Sequence, residues 1–129
     1  LNLGNANSWT ATQTFSNGLV AANTAQFNGT IKFTPVTLNG ASTRANLATE
    51  ITNGKTVVIY STSVPAERNI TSGNGLPVLA AADAGRVIYL VNGDALATLV
   101  VLGKNVQTSE AIALLWTGSA WVKFADNGF

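Results

Sequence analysis

Residues 86–102 read RVIYLVNGDALATLVVL. Two runs of β-branched, aromatic and leucine residues, 87–91 and 99–102, flank the segment Asn92-Gly93-Asp94. Apolar runs of this length bounded by Gly or Asn are typical of strands. Asn-Gly is a strong turn signal, because both residues tolerate the positive φ of a tight hairpin turn. The stretch therefore predicts two strands joined by a hairpin at Asn92-Gly93-Asp94.

Asn-Gly pairs recur along the whole chain, since seven of its 12 glycines directly follow Asn. A second hairpin is predicted at Thr117-Gly118-Ser119. Most predicted strands are apolar on both faces, so we expect layers covering both sides of a sheet. Residues 55–129 are therefore predicted to form an all-β head, a small jelly-roll-like β-sandwich. Its predicted strands cover residues 56–61, 68–71, 86–92, 97–102, 110–116 and 120–124.

Residues 41–54 carry the clearest helical signal. Ser42 or Thr43 suits the N-cap position, Leu47 and Ile51 follow at i, i+4 spacing, and Asn53-Gly54 ends the pattern. The segment is predicted to be a connector containing a short helix of about two turns.

Residues 1–40 are predicted to form a stalk, because the Asn-Gly pairs ending at Gly18, Gly29 and Gly40 are each eleven residues apart. So short a repeat cannot bury its own apolar face, which favours winding around neighbouring copies. The alternative is chance recurrence in a chain rich in Asn and Gly. The residues predicted to lie at a homotrimer interface are Trp9, Phe15, Leu19, Phe27, Ile31 and Phe33.

Composition narrows the possible function. Only 10% of the 129 residues are charged, whereas Asn, Ser and Thr number 38. There is no Cys, His or Met, which removes thiolate ligands, the commonest zinc ligand and the usual general base. The seven basic residues are scattered, and the longest apolar run, 111–116, is far too short to span a bilayer. We expect no cofactor, no metal, no nucleic acid partner and no membrane insertion.

Catalysis by paired carboxylates is the one enzymatic hypothesis that the composition leaves open. Asp83, Asp94 and Asp126 occupy turn-like positions, where Asp bonds to its own backbone. Glu50 and Glu67 remain, and nothing in the sequence brings these two residues together. The chain is predicted not to be an enzyme.

Aromatic residues are the candidates for contact with sugar rings. Tyr60 and Tyr89 lie inside apolar runs and are predicted to be core residues. Trp121 follows a hairpin turn, next to Ser119, and is predicted to be exposed. The predicted ligand-binding residues are Trp121, Ser119 and Asp94.

Two stretches resemble segments of bacteriophage tail fibres and spikes. WTATQTFSNG, residues 9–18, is similar to a recurrent fibre segment of the form Trp-Thr-x-x-Gln-Thr-Phe-x-x-Gly. LAAADAGRVIYLVNGDALATLVVLG, residues 79–103, resembles a fibre module, and WTGSAWVKF, residues 116–124, resembles the last hairpin of that module. The resemblance covers about half of the chain. It implies a trimeric virion appendage, located on the virion surface, that contacts a bacterial surface polysaccharide or protein; residues 41–75 match no part of it.

The functional hypothesis is a structural and adhesive component of a phage fibre or spike, bound to copies of itself and to the rest of the virion fibre. A chain that is 47% hydrophobic and nearly uncharged is expected to hide apolar surface against its own copies. The chain starts at Leu1, and we expect it to be a piece of a longer protein. The alternatives are a monomeric carbohydrate-binding module of a secreted bacterial protein and a fragment of a polysaccharide depolymerase.

Overall fold

The computed structural model describes residues 10–125, with side chains described up to Lys123. The chain divides into two compact units, Leu1–Ile31 and Lys32–Phe129. Described residues 10–31 contain a turn in which Gly18 N donates to Phe15 O, but no helix or strand.

The second unit is mostly strands, with one α-helix and two short 3₁₀ turns at Pro65–Arg68 and Ala81–Asp83. It is therefore a small β-rich domain with one helix. The elements in chain order are β1 (Val36–Leu38), α1 (Arg44–Thr52), β2 (Val57–Tyr60), β3 (Asn69–Ser72), β4 (Gly75–Leu76), β5 (Val87–Asn92), β6 (Leu99–Val101), β7 (Lys104–Val106), β8 (Ala111–Trp116) and β9 (Trp121–Ala125).

The described strands form two mixed sheets. A five-stranded sheet has the order β1-β2-β5-β8-β9, in which β1, β2 and β5 are parallel and β8 and β9 continue antiparallel. A four-stranded sheet has the order β4-β3-β6-β7, in which only the β6–β7 pair is antiparallel. The predicted β-rich character is confirmed, whereas the two mixed sheets differ from the antiparallel sheets of the predicted jelly-roll-like sandwich. The hairpin expected at Asn92-Gly93-Asp94 is wrong, because β5 and β6 lie in different sheets.

Helix α1 explains the parallel start of the five-stranded sheet. Thr43 caps its N-terminus by accepting a hydrogen bond from Asn46 N, and Asn46 Oδ1 in return accepts one from Thr43 N. Gly54, at φ +92°, follows the last turn and stops the helix. A helix between two strands carries the chain back to the end of the sheet at which the first strand began. As a result, β2 pairs parallel to β1. The helix is thus a structural element of the domain and buries Leu47 and Ile51 completely.

One core lies between the two sheets and α1. It contains alternate residues of the five-stranded sheet together with residues of the four-stranded sheet and of the helix. Its members are Leu47, Ile51, Val58, Tyr60, Ile70, Leu76, Ile88, Leu90, Leu99, Val101, Val106, Ile112, Leu114, Trp116 and Trp121. The burial of α1 and the participation of β1 show that the folded unit includes residues on the N-terminal side of the predicted head boundary at residue 55.

All six predicted strands and the hairpin at Thr117-Gly118-Ser119 are confirmed, the hairpin by the pairing of Trp116 with Trp121. Three strands were not predicted. β1 and β7 have three residues each and β4 has two. They are shorter than the apolar runs from which strands are predicted.

Candidate functional site

A cleft of about 350 Å³ lies where the three parallel strands of the five-stranded sheet end. Gly40 follows β1, Ser61–Ser63 follow β2, and Gly93–Ala97 follow β5; Arg68 completes the lining. Parallel strands bring the loops that follow them to one edge of a sheet, which is where ligands commonly bind in sheets of this kind. The topology therefore makes this cleft the candidate binding site.

Asn92 holds the loop on one side of the cleft. Its side chain is fully buried, and its Nδ2 donates to Ala97 O at 2.8 Å and to Val106 O at 2.9 Å. Its Oδ1 accepts from Asp94 N at 2.9 Å. One amide thus satisfies two carbonyl groups and one N–H in the space between β5 and β7. The shape of the 93–97 loop depends on this residue.

Asp94 and Arg68 form an ion pair in the cleft. Asp94 Oδ1 accepts from the backbone N–H groups of Leu96 and Ala97 at 2.9 and 3.0 Å. The other carboxylate oxygen, Oδ2, lies 3.6 Å from a terminal nitrogen of Arg68, which also donates to Thr62 O. The carboxylate and the guanidinium are mostly buried but reach the cleft. Together they offer both acceptor and donor groups at one place.

The opposite wall consists of small hydroxyl residues. Thr62 is buried, and its hydroxyl donates to Ser42 O at 2.6 Å while accepting from Val64 N. Ser61 is half-buried and Ser63 is exposed, and their backbone N–H groups donate to Leu38 O and Gly40 O. The wall is therefore held by backbone bonds from the β1 side.

Gly93 allows the two walls to meet. A Cβ atom at this position would lie 2.7 Å from Ile59 Cγ2, closer than two carbon atoms can approach. Its N–H donates to Tyr60 O at 2.9 Å, which continues the β2–β5 pairing into the cleft. Asn-Gly here serves close packing rather than a hairpin turn.

The cleft carries no excess charge, because the Asp94 carboxylate and the Arg68 guanidinium compensate each other. The Thr62 hydroxyl and the N–H groups of the 93–97 loop at Gly93, Asp94, Leu96 and Ala97 are already hydrogen-bonded within the fold. Within residues 10–125, no group of three or more Asp, Glu, His or Cys side chains is placed to hold a metal ion. In the same range, no helix has the length and apolar character needed to cross a bilayer.

The three predicted ligand-binding residues do not come together. Asp94 lies in the cleft. Ser119 is exposed, but its turn follows β8, which runs antiparallel to β5, so it lies at the opposite end of the five-stranded sheet. Trp121 was predicted to be exposed, and this is wrong. It is a buried member of the core, packed against Trp116 with ring centroids 5.5 Å apart, and its Nε1 donates to Pro77 O.

Two further predictions about side chains have mixed outcomes. Tyr60 is fully buried as predicted, whereas Tyr89 is 40% exposed because it points to the other face of its sheet. Asp83 and Asp94 are local turn formers, as predicted, since each accepts hydrogen bonds from nearby backbone N–H groups. Asp126 lies outside the described residues.

Sequence reasoning missed Arg68 and the Ser61–Ser63 wall. These residues lack a motif, and only the position of Ser61–Ser63 directly after a strand could have indicated them. The fact that β2 and β5 are parallel neighbours, which makes such positions converge, is absent from local sequence.

The residues predicted for a trimer interface are exposed where the structure describes them. In the first unit these are Phe15, Leu19, Phe27 and Ile31, and in the second unit Phe33; their exposed fractions range from 47 to 63%. Val20, at 93%, belongs to the same stretch of sequence. Trp9 lies outside the described residues.

Glu67 accepts hydrogen bonds at the N-terminus of α1. Its Oε2 accepts from Arg44 N at 2.7 Å and from Arg44 Nε at 3.2 Å. Arg44 N is one of the N–H groups that a helix leaves without an internal partner. The hydrogen bond from this N–H, helped by the guanidinium, holds the pKa of the Glu67 carboxyl below its ordinary value of 4.5. This carboxylate therefore has a structural role in the described fold.

We expect Glu67→Gln to lower stability in a pH-dependent way. A carboxyl group whose pKa is depressed by folding stabilises the fold above its unfolded pKa of 4.5 and loses that effect as the pH falls through the lower folded value. The difference in free energy of unfolding between wild type and variant should thus be full at about pH 7 and smaller at an acidic pH below 4.5. Urea unfolding at both pH values measures it. Glu50→Gln, on the same helix, is the control, and a difference unchanged by pH would contradict the role given to Glu67.

Comparisons of the chain with protein-family models, curated proteins and solved structures give no match.

Proposed function

We propose that this chain is a structural and adhesive component of a phage-type fibre or spike, assembled as a homotrimer on the virion surface. The observation that carries the proposal is the exposure of large apolar side chains in described residues 10–31, a segment without helix or strand. The resemblance of residues 9–18 to fibre segments points the same way. The partners are its own copies and the rest of the fibre.

Trimer formation has a clear energetic basis. Burial of a large apolar side chain contributes roughly 1.5–3 kcal/mol, so the five exposed residues Phe15, Leu19, Val20, Phe27 and Ile31 offer about 10 kcal/mol per chain before entropic costs. With only 10% charged residues, little electrostatic repulsion opposes contact between copies.

Adhesion is assigned to the cleft. Surface polysaccharides present hydroxyl groups, each of which both donates and accepts hydrogen bonds, and the cleft offers an acceptor in the Asp94 carboxylate and a donor in the Arg68 guanidinium. Neutral hydroxyl groups also match a site whose charges compensate each other. The ligand class proposed is therefore a neutral stretch of bacterial surface glycan.

The first test of the proposal is the mass of the particle in solution. Sedimentation equilibrium at micromolar concentration should give three times 13.3 kDa. A well-folded monomer would contradict the fibre assignment and favour the carbohydrate-binding module.

The second test is glycan binding by the intact assembly on an array of bacterial polysaccharides. Asp94→Ala should weaken binding by about tenfold or more, because a hydrogen bond to a charged group contributes roughly 1.5–3 kcal/mol. Asp83→Ala is the matched control, since Asp83 makes the same kind of turn bond at the other end of the sheet. Equal binding by both variants would reject the cleft, and release of oligosaccharides from the polysaccharide would show that the protein is an enzyme.

A further inference from the structure

The five-stranded sheet has a second face, turned away from the core, that is apolar across β2, β5, β8 and β9. In strands β2 and β5, fully buried residues alternate with residues that are half-buried or exposed. The residues of this second face, hereafter the outer face, are Val57, Ile59, Val87, Tyr89, Val91, Ala111, Ala113, Leu115 and Val122.

The strand register makes the outer face one continuous surface. Val57 is opposite Tyr89, which in turn is opposite Ala113. Ile59, Val91 and Ala111 form a second row, and Val87, Leu115 and Val122 form a third. The rows lie side by side, as neighbouring strands place paired residues on the same face.

None of the outer-face residues belongs to the hydrophobic core cluster of the described residues, although the small Ala113 is buried between its neighbours at 5% exposure. Tyr89 and Val122 remain 40% and 39% exposed. Covering layers on both faces were expected from the sequence, yet α1 and the four-stranded sheet contribute to the core on the inner face alone. A strand that is apolar on both faces calls for cover on both.

The size of the outer face suits an interface between proteins. Four strands about 4.8 Å apart with four or five paired residues each, at about 3.3 Å per residue, cover roughly 250–300 Å² in flat projection, and more when the relief of the side chains is included. Single apolar patches of roughly 300–600 Å² are the largest on typical monomers and are often functional. A standard interface takes about 800 Å² from each partner, so the outer face supplies roughly a third of it in flat projection.

The chemistry of the outer face excludes several classes of partner. It contains no Lys or Arg to contact phosphates, so neither nucleic acid nor an anionic headgroup fits it. The only polar group among the nine side chains is the Tyr89 hydroxyl, which is too little to recognise a glycan. The complementary surface must be apolar, uncharged and flat, and the outer face of another copy has these properties.

We infer that the outer faces of the five-stranded sheets of three copies of this chain pack together around the threefold axis of the assembly. The inference rests on the proposed trimer and adds the surface through which the folded units meet. Apolar side chains interdigitate where sheets pack against one another, and Val, Ile and Leu predominate on the outer face. The cleft, at the ends of the strands, lies outside this face and stays open to ligand.

The test places one negative charge on the outer face. Tyr89→Glu puts like charges close together in the assembly, and we expect the dissociation constant of the oligomer to rise by about a hundredfold. Leu96→Glu is the control, because Leu96 is 96% exposed at the cleft and should leave assembly unchanged. Analytical ultracentrifugation gives the masses, and circular dichroism verifies that each variant is folded.

The outcomes separate the inference from the proposed function. If the wild type is a trimer and Tyr89→Glu leaves its assembly unchanged, the inference about the outer face is wrong and the fibre proposal is unaffected. A dimer that Tyr89→Glu dissociates would support the outer face and reject the trimer. A monomeric wild type would reject both.

A second measurement does not depend on how the charged variant folds. The chain has no Cys, so Tyr89→Cys and Leu96→Cys each introduce a single thiol. In the assembly, the thiol at position 89 should react with a maleimide about tenfold more slowly than in a diluted, dissociated sample, because burial protects thiols. The thiol at position 96 should react equally fast in both. Equal rates at position 89 would contradict the inference.

Discussion

Trp116→Ala is expected to destabilise the folded unit by about 3–5 kcal/mol, the usual cost of removing a large aromatic side chain from a core. Trp116 is 1% exposed and packs against Trp121 at a centroid distance of 5.5 Å. Its Nε1 also donates to Ala80 O at 2.9 Å, which ties the loop before β5 to the end of β8. Truncation leaves a cavity and removes one of the two donors to Ala80 O, which keeps the hydrogen bond from Asp83 N. Since small domains are stable by about 5–15 kcal/mol, a large part of the population should unfold on mild heating.

Urea unfolding followed by circular dichroism measures this loss. Trp116→Phe separates the two contributions, because it keeps most of the aromatic volume and removes only the Nε1–H donor, so its cost should be clearly smaller. Leu96→Ala, at a side chain that is 96% exposed, is the control for loss of apolar volume without burial. A change of less than about 1 kcal/mol for Trp116→Ala would show that this residue is not part of the core.

Asn92→Leu is expected to cost at least about 3 kcal/mol, although leucine has a similar size. The substitution removes the partners of Ala97 O, Val106 O and Asp94 N, and each buried polar group left alone costs roughly 1–3 kcal/mol. Because the 93–97 loop lines the cleft, glycan binding should also be lost under conditions in which the variant is still folded.

Chemical unfolding and the glycan array test the two parts of this prediction. Asn105→Leu is the matched control, since Asn105 is exposed on the neighbouring strand β7 and its loss should change stability by less than about 0.5 kcal/mol. If Asn92→Leu is as stable as this control, the buried amide does not hold the loop. If it is destabilised but binds glycan normally, the cleft is not the binding site.

The candidate site was only partly accessible to sequence reasoning. Asp94 was identified, but as a hairpin residue, and the partner assumed for it, Trp121, lies in the core. The error arose from treating Asn92-Gly93 as a turn between paired strands. In the structure β5 pairs with β2 and β8, and Gly93 is required by its contact with Ile59 rather than by a positive φ. Whether a glycine marks a hairpin turn or a close contact depends on which strands pair with each other. The local sequence does not contain that information.

Tyr89 and Tyr60 show the same limit within single strands. Both occupy apolar runs that predict a strand, and both strands are observed. Whether a position faces the core or the outer face depends on the side from which α1 and the four-stranded sheet cover the five-stranded sheet. A run that is apolar on both faces does not indicate which face the other elements will cover.

The β-rich class, six of the strands, the short helix at Arg44–Thr52 and the hairpin between Trp116 and Trp121 follow from the sequence alone. These features depend on residue propensities, caps and turns, which act over a few neighbouring residues. Only the tertiary structure decided that β1, β2 and β5 are parallel neighbours, that their ends enclose a cleft, and that one apolar face stays outside the core. Those features depend on contacts between residues far apart in the chain, where burial of the largest apolar area overrides local preference.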